Sequence, residues 1–536
     1  MKTRSIFSLA LLAATVAAQA QDTYLNDRIT AQDELNGSAR YVGMGGAMGA
    51  LGAYLSVISS NPAGIALYRK SDVGLSFGCV LPNGNGWDSK QPATYGEKLN
   101  RASFDQLGLV WSLRTGNDMV RFVNFGINYQ KRKNFNTGFF ADNYTLNGLS
   151  QMDQLADMAN AEMGGLDNTN LVGLAEYPYE NDENTSYLAW DDQGNYYNAY
   201  PSYSSNYTRH QVGAVQGFDF NASLNLQDRV YLGMTVGVDG VNYKSWSEYA
   251  EYGSDNGLNH GLYNDRKIEG SGVNVKLGMI VRPSAESPFR IGVTMETPTW
   301  YRLHNSTLYN LYADLGNGVE KSDQPESYLD YTVRTPWKGR LSFGTTIGTS
   351  LAIGAEYEIA NYSKTAMGYP IYKEHDEYSD YRSHKDVAMN NHTRDNLHAQ
   401  HTIKVGAEYK PTKNLALRAG YNFISSRFKK DCTFDQYAIY QDSGNYYMAN
   451  DEISTNYITN TDYSRIGAAN IVTLGIGYSL KSFYINAAYQ MRAQKADFYG
   501  FHANKPGVEY TTANQLNPVE VNLNRHQLTF GLGFKF

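Results

Sequence analysis

Leu415-Ala416-Leu417-Arg418-Ala419-Gly420-Tyr421-Asn422-Phe423 alternates along its whole length, with Leu, Leu, Ala, Tyr and Phe at the odd positions and Ala, Arg, Gly and Asn at the even ones. A period of two is the signature of a strand whose faces meet different surroundings. The odd face is apolar enough to meet lipid. The same pattern recurs in Val472, Leu474, Ile476, Tyr478 and Leu480, separated by Thr473, Gly475, Gly477 and Ser479, and again at 230–238 and 351–359.

Working outward, strands are expected near 73–80, 106–113, 120–135, 211–226, 229–246, 268–281, 289–302, 327–348, 350–363, 401–410, 414–428, 467–480, 482–497 and 523–536. That is about fourteen. Short links such as Gln227-Asp228, Pro411-Thr412-Lys413 and Leu480-Lys481 alternate with long ones such as 136–210, 364–400 and 429–466. A soluble sandwich has no reason to sort its connections this way. An outer-membrane barrel has short periplasmic turns, long outer loops and an even strand count, and closure leaves no strand edge in hydrocarbon. The fold class expected is all-β: a transmembrane antiparallel β-barrel with an N-terminal hatch plugging the lumen.

The chain has 536 residues and a net charge of -7, which argues against a nucleic-acid partner. Past residue 20 no stretch is long and apolar enough for a membrane helix. Met1 to Ala20 has the parts of an export signal: Lys2 and Arg4, an apolar run from Ile6 to Ala18, and the small-residue cleavage site Ala18-Gln19-Ala20. The residue after the cut is Gln21, with no nearby Cys to carry a lipid. The organisation expected is a signal peptide over 1–20, a hatch over 21–72 and a barrel with long outer loops over 73–536. The tail Leu528-Thr529-Phe530-Gly531-Leu532-Gly533-Phe534-Lys535-Phe536 alternates up to a terminal aromatic. It resembles the C-terminal signal that barrels present to the barrel-assembly machinery. The 44 tyrosines suit the aromatic girdles of such a barrel, though many fall in loops.

One stretch does not fit a strand. Ser38 to Tyr68 reads SARYVGMGGAMGALGAYLSVISSNPAGIALY, apolar and Gly-rich, with Arg40 as its one charge. Gly43, Gly45, Gly46, Gly49 and Gly52 permit tight packing and positive φ, and Pro62 fixes a turn. A linker rarely carries Tyr41, Val42, Leu51, Leu55, Val57 and Ile58 so close together. The glycines lack the G-x-G-x-x-G spacing of a phosphate loop.

This stretch, followed by a long barrel, resembles the FadL/TodX family of outer-membrane transporters for hydrophobic compounds. Thr335 to Gly339 (TPWKG), Gly354 to Tyr362 (GAEYEIANY), Gly406 to Tyr421 (GAEYKPTKNLALRAGY) and Asp497 to Gly500 (DFYG) are similar to the branch found in Bacteroidetes. The resemblance implies a fourteen-stranded barrel closed by a hatch whose motif falls on Asn61, Pro62, Ala63 and Gly64. It also implies passive uptake of hydrophobic or amphipathic small molecules, such as long-chain fatty acids, with sideways release into outer-membrane lipid. No cofactor is implied.

Alternation turns Asp239, Lys276, Arg340, Glu356, Glu358, Lys404, Glu408, Arg418 and Arg492 away from lipid. They are expected to pair in the lumen, with Arg340 and Arg418 as candidate partners of a substrate carboxylate. His375, His384, His392, His398 and His401, with Glu374, Asp376, Glu377 and Asp380, raise metal or haem capture, although steps of nine, eight, six and three residues in a polar loop predefine no site. Cys79 and Cys432 fall on strands not expected to be neighbours. No Ser, His and acid set and no G-x-S-x-G indicates a hydrolase. A surface receptor or adhesin with long outer loops remains the alternative to a transporter.

Overall fold

The computed structural model describes residues 22–536 except 32–33, 83–101, 144, 162–169, 180–185, 315–317, 372–379, 437–438, 440–457 and 504–515. The expected export signal, His375, Glu374, Asp376 and Glu377 lie outside the described residues.

Fourteen antiparallel strands close on themselves. They are β1 (Asp72–Pro82), β2 (Ala102–Arg114), β3 (Val120–Asn134, resuming as Thr137–Asn143), β4 (Ser204–Leu226), β5 (Val230–Tyr252), β6 (Leu258–Val281) and β7 (Arg290–Glu296, resuming as Trp300–Asp314). The circuit continues with β8 (Glu326–Arg334, resuming as Lys338–Ile347), β9 (Leu351–Asn361, resuming as Ala366–Ile371), β10 (Ala399–Tyr409), β11 (Leu415–Ile424), β12 (Tyr463–Leu480), β13 (Phe483–Tyr499) and β14 (Val519–Asn522, resuming as Arg525–Lys535). Each pairs with its chain neighbours, and β14 pairs with β1 from Asp72↔Lys535 to Pro82↔Arg525. All fourteen expected strands are present.

The interruptions have chemical causes. Pro298 and Pro336 lack the N–H a ladder needs. Thr side chains fill in: the Val275 N–H donates to Thr297 Oγ1 at 3.0 Å and the Thr299 N–H to Thr335 Oγ1 at 2.8 Å. In β3, Phe135 donates its N–H to the Gly213 carbonyl, and Gly213 donates to Asn136 Oδ1.

The expected outer links need correction: parts of 136–210 and 364–400 are strand, and β7 runs on past 302 to Asp314. Residues 247–267, read as an outer loop, are strand: β5 and β6 run on to a five-residue link, 253–257. The alternation persists there between polar residues and tyrosines, so the apolar contrast that marks a lipid-facing strand is missing.

The two faces of the wall sort as the alternation requires. Leu417, Leu474 and Phe530 are 43, 56 and 54% exposed, whereas Arg418 and Asn422 of β11 are buried inside. An apolar belt outside a closed sheet whose inner face is polar is the anatomy of an outer-membrane barrel. No described helix is long and apolar enough to cross a membrane.

Residues 22–31 and 34–71 fold inside. Asp22 caps α1 (Thr23–Thr30), accepting the Tyr24 N–H at 2.8 Å, and the chain then descends to α2 (Ala39–Gly43), packed against β11 to β14. Two short 3-10 turns follow, Leu55–Ile58 and Pro62–Leu67, the second lying against β3 to β6. Above the lumen, α3 (Gln151–Asn160), α4 (Leu171–Glu176) and the upper parts of β6 and β7 share one apolar cluster that includes Leu155, Leu174, Leu262 and Leu311. A second cluster joins α1 to α5 (Val387–Asn396) through Tyr24, Met389 and Phe434.

Candidate functional site

The inner segment fits because wall and plug are shaved to backbone where they touch. A Cβ on Gly406 would run into the Met44 carbonyl, one on Gly354 into that of Ala47, and one on Gly233 into Pro62. Gly in a strand interior commonly marks such an approach. On the plug side Gly45 and Gly46 take φ of +62° and +75°, which an L side chain rarely adopts, while Gly43 and Gly49 abut Gly475 and the Glu356 carboxylate.

Asn61 to Gly64 form another close joint. Asn61 Oδ1 accepts the Ala63 N–H at 3.1 Å, and Asn61 Nδ2 donates to the Gly49 carbonyl at 2.8 Å, tying two turns of the plug together. Pro62 opens the 3-10 turn, where its missing N–H costs nothing, and its carbonyl accepts from Asn221 of β4. Gly64 donates to the Asn61 carbonyl and lies against Val57.

At this level the inward charges pair. Asp219 accepts from Arg132 at 2.7 Å, from Lys276 at 3.4 Å and from the plug's Ser59 at 2.7 Å. Glu296, Glu356 and Glu358 hold Lys338, Arg340 and Lys404, with Arg340 at 2.8 Å from Glu296 and 2.6 Å from Glu358. Glu408 receives Arg40 of the plug through two bonds, 2.7 and 2.8 Å, and Arg418 at 2.6 Å. Arg340 and Arg418, the two cations singled out for a substrate carboxylate, are thus both engaged by protein carboxylates. Arg340 also donates to the Ser60 carbonyl and lines a cavity of about 60 Å³ above the plug.

A larger cavity of about 170 Å³ lies higher and shares Glu34 with the first. It is walled by α1, the β3 interruption, β4, β12 to β14 and the segment after β11. Its apolar lining comes from Phe135, Ile466, Ala496, Val521 and Leu523, and its cations are Arg28, Lys133, Arg209, Arg427, Arg492 and Arg525. Of these, Arg492 was singled out by the strand alternation. The others come from segments far apart in the chain, and nothing in the sequence marks them as a group.

Beside this cavity the ladder is interrupted among the described residues. β1 ends at Pro82 and β2 begins at Ala102, whereas β3 continues to Asn143 and β14 begins at Val519. Above β1 and β2, the edge of Thr137–Asn143 and the edge of Val519–Asn522 therefore face each other with no ladder between them among the described residues. Thr137, Gly138 and Asn522 to Arg525 line both the cavity and this seam.

α1 roofs the cavity. Tyr24 stacks on Phe428 at 5.5 Å, meets Phe434 and Tyr463 at 5.8 and 5.1 Å, and donates its hydroxyl to the Thr433 carbonyl. Asp27 takes a two-pronged contact from Arg427. His392 of α5 places Nε2 2.9 Å from the Thr433 carbonyl and Nδ1 2.9 Å from the Thr23 hydroxyl; burial holds its pKa down to about 4. In α4, burial pushes the Glu176 carboxyl up to about 7.

The remaining candidates do not converge. His392 is enclosed under α1, His401 stacks on Tyr357 on the outer wall, and His384 and His398 are exposed. Among the described residues no group of His, Cys, Asp and Glu is arranged to hold a metal. Cys79 on β1 and Cys432 after β11 are free thiols.

No family model and no curated protein matches this chain. Solved structures with a similar course include the Ralstonia pickettii toluene transporter TbuX (12% identity, TM-score 0.48) and a Pseudomonas aeruginosa FadL homologue (13%, 0.49). The P. putida toluene transporter TodX is a third (13%, 0.47); each pairing covers 94% of this chain and 99% of the other.

Proposed function

We propose that this protein is a passive outer-membrane transporter for hydrophobic or amphipathic small molecules, with residues 22–71 as its gate. One observation carries this reading: a cavity of ligand size sits on the outer side of a plug that fills the lumen below it. The path runs from the outer loops, past α1, into the 170 Å³ cavity. From there an apolar ligand has two ways on. It can descend past a plug held by paired charges, or leave sideways through the seam above β1 and β2, where no ladder joins the two edges among the described residues. Asn61, Pro62, Ala63 and Gly64, with Gly43, Gly45, Gly46 and Gly49, set the plug's shape, and Arg340 and Arg418 hold its seat.

The experiment is uptake by proteoliposomes of labelled toluene, benzoate and a fatty acid, beside binding to the purified full chain. Saturable uptake of at least one is expected. Absence of both uptake and binding for all three would refute the reading and leave a surface receptor or adhesin as the better account.

A further inference from the structure

Among the described residues the cations lining the 170 Å³ cavity outnumber the carboxylates that pair with them. Arg525 forks onto Glu34 with two bonds of 2.8 Å, Arg427 onto Asp27, and Arg209 lies 3.7 Å from Asp462. Three cations are left with neutral partners. Arg28 donates to the Tyr243 hydroxyl at 3.4 Å, Lys133 to the Ala31 carbonyl at 3.0 Å, and Arg492 to Gln494 Oε1 at 3.1 Å. Among the described residues no carboxylate lies within ion-pair distance of any of the three.

Like charges gathered away from bulk water repel strongly and are normally balanced. Lower in the same barrel most are: Asp219, Glu296, Glu356, Glu358 and Glu408 meet Arg132, Lys276, Lys338, Arg340, Lys404, Arg40 and Arg418, while Arg290 donates to the Leu51 carbonyl. Among the described residues it is at the cavity that three cations without a paired carboxylate gather. Beside the cations lie Phe135, Ile466, Val521 and Leu523, an apolar surface suited to a ring or short chain. The volume is of the order of a cavity that accepts benzene, about 150 Å³. A neutral hydrocarbon would use the apolar half and leave the cations unbalanced; an inorganic anion would do the reverse.

We propose that this cavity binds a small organic anion with an apolar body of about one ring, an aromatic carboxylate being the simplest case, with Lys133 and Arg492 holding the anionic group. The inference rests on the transport reading and narrows its substrate class from apolar molecules in general to small apolar acids.

The test is calorimetric binding of benzoate, toluene and inorganic phosphate to the purified full chain, repeated with Lys133→Met and Arg492→Met singly and together. Folding of each variant is checked by heat-modified mobility on gels. Benzoate is expected to bind at least tenfold tighter than toluene or phosphate. Each single variant should weaken it several-fold, the double variant by more than tenfold, and added salt should weaken it in the wild type. Equal binding of phosphate would overturn the proposal by removing the role of the apolar half. So would toluene binding tighter than benzoate, or benzoate binding unchanged in the folded double variant. Proteoliposome uptake separates the two readings. Toluene or a fatty acid entering without benzoate would sink the inference and leave transport standing, whereas neither uptake nor binding of any of the three would sink both.

Discussion

The lower lumen and the upper cavity share β3 and β4 and differ in how inward cations are met: below, most are given a carboxylate, whereas above, three of six have a neutral hydrogen-bond partner. Arg418 on β11 meets Glu408; Arg492 on β13 meets only Gln494. Below, pairing closes the lumen on the plug, since Arg40 and Ser59 of the inner segment join the wall's own network. Above, the absence of pairing leaves room for something else to supply the charge. Alternation alone decides that a residue points inward. It is the neighbouring strand that decides whether the residue is part of a lock or of a binding site.

The largest effect should come from breaking a pair. Glu408→Gln leaves Arg40 and Arg418 facing each other without their shared carboxylate, and such a loss costs about 3–5 kcal/mol. Denaturant unfolding of the purified barrel, with protease sensitivity of residues 22–71, should show a loosened plug. Next comes the glycine seam. Gly406→Val puts three carbons where the Met44 carbonyl now sits, at about 1–3 kcal/mol, again read by protease access to the plug. A substitution at Gly339, where a Cβ meets only Ile359, should be mild by the same assay.

Smaller still is a pH effect on the roof. His392 has its folded-state pKa near 4, below the usual 6.5, so the unfolded state binds more protons between those values. The docking of α1 is therefore fully stable above about pH 6.5 and weakens as pH falls towards 4, by about 2 kcal/mol at pH 5. Protonation would also remove Nδ1 as the acceptor facing Thr23. Hydrogen exchange of α1 between pH 7.5 and 4.5 should show this, and His392→Gln should flatten it, with the plug below unaffected. The smallest effect sharpens the opening contrast. Arg492→Met should change stability by less than about 1 kcal/mol or raise it, because it removes an unbalanced charge, whereas Arg418→Met should be clearly destabilising.

The barrel was legible because lipid demands an apolar outer face and closure demands a partner for every edge, and both leave marks at fixed spacing. Leu415 to Phe423 alone gives the two faces of β11 correctly. The marks fail where lipid ends: Tyr249, Glu251 and His260 are all buried, but nothing in their polarity separates a strand in the outer cap from a loop. Gly45 and Gly46 announced a confined turn, yet the complementary wall glycines 233, 354 and 406 read as ordinary strand glycines until the plug lies against them. The cavity was the least legible feature. Arg28, Lys133, Arg427 and Arg492 are brought together by barrel closure across the whole chain, and no local pattern encodes that.

The gate is the central claim, and a reversible lock tests it most directly. Asn36 of the inner segment and Gln527 of β14 touch, with Gln527 Nε2 donating to Asn36 Oδ1 at 3.0 Å. In a chain with Cys79 and Cys432 replaced by Ser, Asn36→Cys with Gln527→Cys allows the plug to be bonded to the wall and released. Proteoliposome uptake should fall by at least tenfold when the bond is formed and recover on reduction. Equal uptake in the oxidised and reduced states, with the bond verified by mass, would contradict the account.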